Sequence, residues 1–215
     1  MKSCPEIKIC GITKRKDAEV ATDLGSSYLG FILYPKSPRF LPAKEAKGII
    51  SSLSAPRPYS VAVDVNPNIS ELEAAKVFSF DFHQLHFPLS TPVDLIKQWS
   101  SLVGCSKLWL APQIEPGRTF PEDILPLADT FLVDAYSEDK FGGTGHKADW
   151  ALFENLKNQY PHKKWVLAGG LGPHNLNEAL LQANPDVLDM NSALEIDPGV
   201  KDHNKLHLAF SLLPT

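Results

Sequence analysis

Eight short runs of β-branched, aromatic and aliphatic residues recur about every 25 residues along this chain, separated by stretches with helical apolar spacing. They are EIKICGI (6–12), YLGFIL (28–33), YSVAVDV (59–65), DFHQLHF (81–87), KLWLAP (107–112), TFLVDA (130–135), KWVLAG (164–169) and DVLDM (186–190). Strand and helix in regular alternation leave few packing solutions, because each parallel strand needs a crossover helix to cover it. Eight such pairs in 215 residues, with no linker, predict a single (β/α)₈ barrel domain over residues 1–215, near the lower end of the roughly 200 to 400 residues that this fold takes. The alternative is a doubly wound open sheet. It is disfavoured because GxGxxG does not follow the first strand, where ICGI runs directly into TKRKDAE.

Several helices carry start signals. Thr13 precedes KRKDAEVATDLG, Pro42 opens PAKEAKGIISSL, Asn68 precedes ISELEAAKVF and Pro173 opens PHNLNEALLQA. Pro92, Pro116, Pro121 and Pro126 interrupt the fourth and fifth helical stretches, near 91–102 and 120–128. In the last one, Leu206, Ala209, Phe210 and Leu213 form an apolar stripe that suits packing on the outside of the sheet.

Composition narrows the function. Twenty-five acidic against 21 basic side chains give a net charge of −4 without a basic cluster, which argues against nucleic acid as a partner. No apolar run reaches the roughly 18 residues of a membrane span, and MKSCPEIK lacks the apolar core of a secretory signal, so a cytoplasmic location is expected. Cys4, Cys10 and Cys105 show no CxxC spacing and read as reduced thiols. The Asn68-Ile69-Ser70 triplet is a glycosylation acceptor only in a secreted protein. No heptad or long apolar edge stands out, which points to a monomer.

In a barrel of this kind chemistry belongs at the C-terminal strand ends. That rule gathers Cys10 after strand one, Arg39 after strand two, Asp64 and Asn66 after strand three, Gln84 and His86 on strand four, and Asp134 after strand six. GGTG (142–145, with Gly143 and Gly145) and GGLG (169–172, with Gly169 and Gly170) follow strands six and seven, and Asn191-Ser192-Ala193 follows strand eight. Either glycine run alone reads as a turn. Two of them at the usual phosphate-binding end of a barrel read as backbone N–H groups that can approach an anion closely. Arg39, stiffened by the prolines of PKSPRFLP, is placed to hold a carboxylate, and Lys36 beside it carries the same charge. Cys10 alone would be a small buried hydrophobe. Lys8 points to the same side of its strand, however, and pairing with Asp189 on strand eight would leave a residual positive field that favours a Cys10 thiolate. Asp134 is a lone acid ending an apolar strand, which favours a functional role over a structural one. His83 and His86 cannot both face inward, and no metal-ligand set emerges. The remaining histidines fall on expected loops or helix surfaces.

KICGIT (8–13), GFILYPKSPRFLP (30–42), QLH (84–86), LVDA (132–135), GGTGHKADW (142–150), LAGGLGPHNL (167–176) and PGVKD (198–202) together resemble, in order and over nearly the whole chain, the motifs of the phosphoribosylanthranilate isomerase family of tryptophan biosynthesis. The resemblance implies a (β/α)₈ barrel that needs neither cofactor nor metal. It implies conversion of a phosphorylated small molecule, N-(5-phosphoribosyl)anthranilate, to a carboxyphenylamino-deoxyribulose phosphate by an Amadori rearrangement. It further implies Cys10 as general base, Asp134 as general acid, Arg39 at the anthranilate carboxylate, and the loops with Gly143, Gly145, Gly169, Gly170, Ser192 and Ala193 around the phosphate. Lys8, Gln84 and His86 belong to the same expected site.

Departures from the family pattern bear on that expectation. VAVDVN stands for VGVFVN, QLHF for QLHG, GGLGP for GGLNP and DMNSALE for DVSSGVE. Ala193 replaces a glycine where phosphate meets backbone, which implies a modest loss of affinity, and Asp64 would repel an anion unless it points outward or meets a cation. Two rival functions follow: a catalytically silent homologue that binds phosphorylated ligands or protein partners, and a related phosphosugar isomerase of tryptophan or histidine biosynthesis, such as a bifunctional one. Cys10 argues against a histidine-pathway isomerase, whose first catalytic group is an aspartate.

Overall fold

The computed structural model describes residues 4–115, 117–134 and 149–214. Eight parallel strands close into a barrel in sequence order: β1 (Glu6–Ile9), β2 (Tyr28–Ile32), β3 (Tyr59–Val65), β4 (Phe82–Pro88), β5 (Leu108–Gln113), β6 (Thr130–Val133), β7 (Lys164–Leu167) and β8 (Val187–Met190), with β8 pairing back onto β1. The open-sheet alternative is thereby excluded. The helices are α1 (Arg15–Asp23), α2 (Ala43–Ser52), α3 (Ile69–Lys76), α4 (Val93–Val103), α5 (Trp150–Gln159), α6 (Leu176–Ala183) and α7 (His203–Ser211). A small antiparallel hairpin, β9 (Glu195–Asp197) with β10 (Val200–Lys201), sits between β8 and α7. None of the described helices is long and apolar enough to cross a membrane.

Local chemistry explains the boundaries. Asn68 caps α3 in a full capping box with Glu71, and Asp202 caps α7 through the amides of Asn204 and Lys205. Thr13, expected to cap α1, instead turns its hydroxyl to the Gly199 carbonyl, and α1 begins at Arg15 without a side-chain cap. The N-cap position falls one residue later, on Lys14, whose side chain makes no capping hydrogen bond. The expected helix after β5 is a 3₁₀ segment, Glu122–Leu127, because Pro126 inside it removes the N–H that an α-helical turn would use. α6 begins three residues after Pro173, since the Asn175 side chain first ties a turn by donating to the Gly170 carbonyl and accepting from the Gly172 amide.

Strand alternation makes two cores. Ile7, Leu29, Phe31, Ala62, Leu85, Phe87 and Phe131 face the helices and join the larger cluster, while Tyr28, Val61, Val63, Trp109, Leu132, Val166 and Val187 fill the barrel interior together with Cys10. Near the N-terminal end, Tyr28, Tyr59, Phe82 and Trp109 pack ring against ring, with the Tyr28 and Trp109 centroids 5.0 Å apart. Lys8 lies fully buried inside the barrel, and Cys10, two residues farther along β1, comes to the opposite end.

Candidate active site

A cavity of about 670 Å³ opens at the C-terminal ends of the strands. Cys10, Arg39, Gln84, His86, Asp134, Gly169, Gly170 and Ser192 all line it, so most of the residues expected from sequence do meet in space. Lys8 lies beneath rather than in the wall. Gly143 and Gly145 fall outside the described residues, as does the last residue of the expected sixth strand. Asp64 takes the outward alternation of β3, with its carboxylate accepting from the Val65 amide, and is absent from the lining while Val63 and Val65 belong to it. The repulsion it threatened does not arise. Burial pushes its carboxyl up to about 6, against the Val65 hydrogen bond and with help from Glu71.

Lys8 donates to Asp189 at 2.6 Å, the pairing expected across β1 and β8. Burial alone would lower the Lys8 pKa, but the charges of Asp189 and Cys10 more than reverse it, so it stays an ammonium. Gly30 on β2 is the seat of this arrangement: a Cβ there would lie 2.8 Å from Cys10 Sγ and 3.1 Å from Lys8 Nζ. The expectation of a thiolate-favouring field needs correction. Burial pushes the Cys10 thiol up, and the lowering from Lys8 and Lys201 does not overcome it, since the Asp189 charge acts in the same direction as burial.

Lys36 lines the cavity as an exposed side chain and Arg39 as a buried one. The Arg39 guanidinium does clamp a carboxylate bidentately, but the carboxylate is that of Glu195: Nε donates at 2.9 and 3.0 Å and Nη2 at 2.7 Å. Glu195 also receives Lys201 Nζ at 3.0 Å, and the same ammonium reaches Asn191 Oδ1 at 2.9 Å. Burial raises the Glu195 pKa, yet the Arg39 hydrogen bonds and the Lys201 charge bring it below the usual range. Arg39 and Lys201 share one carboxylate, and burial lowers the Lys201 pKa against the Glu195 charge that raises it, so the cluster sets guanidinium and amine donors beside the cavity. Behind it, the Lys201 amide donates to Asp17, whose other oxygen meets His203 Nε2 at 2.8 Å.

Sequence reasoning missed Glu195 and the side-chain role of Lys201. The usable signal was the Asp197-Pro198-Gly199 turn, which predicts a hairpin; Val200 pairs with Asp197, and a shift of register then brings Lys201 opposite Glu195.

Gln84 Nε2 donates to His86 Nε2 at 2.8 Å, which leaves the ring proton on Nδ1. Burial, aided by Lys8, holds the His86 pKa down to about 3, so this imidazole is neutral throughout the working range and a poor base. Across the cavity, Gly169 and Gly170 take φ values of 93° and 60°, and the amides of Gly170, Leu171, Ser192 and Ala193 donate to no described residue. Three of these residues, Gly170, Leu171 and Ser192, line the cavity, and amides without a described acceptor on two such loops suit an anion. Among the described residues no group of three or more His, Cys, Asp or Glu could hold a metal ion.

The sequence profile described as N-(5'phosphoribosyl)anthranilate (PRA) isomerase matches residues 7–211. An N-(5'-phosphoribosyl)anthranilate isomerase from Crocosphaera subtropica is 34% identical over 199 residues, covering 91% of this chain and 92% of its own. Among solved structures, the phosphoribosyl anthranilate isomerase of Thermus thermophilus superposes with a TM-score of 0.79 at 29% identity, covering 96% of each chain. A second, a phosphoribosyl anthranilate isomerase in complex with reduced 1-(o-carboxyphenylamino)-1-deoxyribulose 5-phosphate, superposes at 0.74 with 25% identity over 96% of this chain and 97% of its own. With profile, relative and barrel in agreement over nearly its whole length, this chain belongs to the N-(5'-phosphoribosyl)anthranilate isomerase family.

Proposed function

We propose that the chain isomerises N-(5'-phosphoribosyl)anthranilate to 1-(2-carboxyphenylamino)-1-deoxyribulose 5-phosphate, with Asp134 as general acid and Cys10 as general base. The observation that carries this reading is the shared cavity: the thiol at the end of β1 and the carboxyl after β6 line one space, walled by the Arg39 cluster and by the free amides of the Gly169–Gly170 and Ser192 loops. A substrate with a carboxylate at one end and a phosphate at the other matches two anion-accepting walls.

Asp134 gives its proton to the furanose ring oxygen. The C1–O bond breaks as the anthranilate nitrogen lone pair forms the C1=N bond of a protonated Schiff base. Cys10, as thiolate, takes the C2 proton, and the C2–H electrons form a C1=C2 bond while those of C=N return to nitrogen. The enolamine loses its hydroxyl proton as C1 gains one, which leaves the ketone, and the enzyme resets its own protons with solvent. Composition is unchanged. Arg39 holds the substrate carboxylate with the donor capacity that Glu195 leaves, chiefly Nη1. Deprotonation of a buried thiol costs free energy, and the thiolate so made is a stronger base than a free one.

The chain works as one barrel domain, as a monomer and in the cytoplasm, which light scattering on a size-exclusion column and fractionation would test. The deciding experiment is turnover of freshly made phosphoribosylanthranilate, followed by loss of anthranilate fluorescence. Absence of turnover by the folded wild-type protein, together with retained phosphate binding, would favour the silent-homologue alternative.

A further inference from the structure

Two sequence departures, Gly172 and Ala193, meet in space. A Cβ built on Gly172 would lie 2.7 Å from the Cβ of Ala193, closer than two methyl carbons can approach. Gly172 does not have a left-handed φ, so its backbone tolerates any residue, and only the alanine methyl forbids a side chain there. Neither side of the contact can swing away. Ala193 has no rotamer to change, and residue 172 is pinned by Asn175, whose Oδ1 accepts from the Gly172 amide and whose Nδ2 donates to the Gly170 carbonyl, each at 3.0 Å. Any displacement at 172 therefore passes to Gly170, and any displacement at 193 to Ser192. Gly170 and Ser192 line the cavity, whereas Gly172 and Ala193 lie behind it.

We propose that Gly172 and Ala193 are a positioning pair: the Ala193 methyl, seated in the space a glycine leaves at 172, sets the separation of the two backbone loops that receive the substrate phosphate. This rests on the phosphate reading of those loops. An anion held by amides from two loops is bound well only at one spacing, since hydrogen bonds weaken steeply as donors drift from about 2.9 Å. The alanine is then part of the cradle's construction rather than a defect in it.

The test is a double-mutant cycle of Gly172→Ala, Ala193→Gly and the two combined. It is read by KM and kcat with phosphoribosylanthranilate, by competitive inhibition with inorganic phosphate, and by thermal melting. Gly172→Ala is expected to raise KM and the phosphate inhibition constant together by about tenfold with kcat within about twofold, because contacts equal in ground and transition state appear in KM. Ala193→Gly, which only removes a methyl, should fold and raise both constants by about threefold, and the double variant should return near wild type, a non-additivity expected of touching residues. A double variant as poor as Gly172→Ala overturns the pair, as does a Gly172→Ala protein that melts earlier yet keeps its KM. If Gly172→Ala fails to fold, Ala193→Gly and the double variant decide: unchanged phosphate inhibition in the first, or a fivefold loss persisting in the second, overturns the pair. A wild-type enzyme that turns over but is not inhibited by phosphate, and for which phosphate gives no thermal protection, sinks the phosphate reading itself and the positioning role with it. Wild-type inhibition without the cycle's rescue sinks the positioning role alone.

Discussion

The two ends of the barrel use the same residue types to opposite effect. At the N-terminal end, Lys164 meets Glu6 at 2.7 Å, with both side chains 41% exposed, and Tyr28 donates to the same Glu6 over a plug of aromatic rings. At the C-terminal end, Lys8 meets Asp189 at 2.6 Å with exposures of 0% and 6%, and Arg39, Glu195 and Lys201 are as deeply placed. Solvent around the first pair screens it and supplies substitutes for either partner, so its removal costs little. The second set has no solvent to fall back on. On the proposed function, such a buried set supplies the kind of field that proton transfer and anion binding need.

The largest expected effect breaks the active end alone. Cys10→Ser preserves size but not basicity, so kcat should fall by about 10² to 10⁴ while the melting temperature stays close to wild type. Near wild-type turnover would remove Cys10 as base, and with His86 held neutral the search would turn to Asp189. Asp134→Asn should lose turnover on a similar scale and still bind a reduced product analogue.

Stability sharpens the contrast between the pairs. Lys8→Met leaves the Asp189 carboxylate buried without its cation and should cost about 3 to 5 kcal/mol in denaturant unfolding, against less than about 1 kcal/mol for Lys164→Met. Similar losses for both would show that burial is not what separates the two ends.

The thiol offers a finer probe. Because burial raises its pKa, iodoacetamide alkylation of Cys10 should have its midpoint above the roughly 8.5 of a free cysteine, and substrate should slow the reaction. A midpoint below that value would restore the thiolate-favouring field that the sequence led us to expect.

The smallest effect concerns Asp64. Its folded pKa of about 6 exceeds the ordinary value near 3.9, so between about pH 4 and 6 the native state binds more protons than the unfolded one and stability falls as pH rises. Asp64→Asn removes that penalty. With that penalty discounted to about 1 kcal/mol for the solvent that reaches the carboxyl, the variant should melt about 2 to 4 °C higher than wild type at pH 7.5 and equal to it near pH 4. No gain at pH 7.5 would place the carboxylate in solvent.

Much of this was legible from residue order because strand alternation and turn chemistry act locally. Eight apolar runs gave eight strands, and the rule that strand ends carry function gathered Cys10, Arg39, His86, Asp134 and Gly170 before any contact was known. What escaped depends on partners far away in the chain. Glu195 lies 156 positions from the arginine it holds, and a Cys10 pKa depends on how far burial and Asp189 outweigh Lys8 and Lys201, a balance of burial and distance rather than of residue type. Thr13 shows the same limit in small: its hydroxyl meets the Gly199 carbonyl of the last hairpin.

The closing of β8 onto β1 also has a consequence in time. Lys8 waits for a carboxylate 181 residues downstream, and Arg39 for one 156 residues downstream. At about 5 to 20 residues per second of synthesis, the nascent chain carries both cations without their partners for roughly ten to forty seconds. Neither can be buried in that interval without the cost of an unpaired charge. The interior of the barrel therefore cannot close over these cations until residues 189 and 195 have been made, and the cavity they border is assembled only after both have emerged.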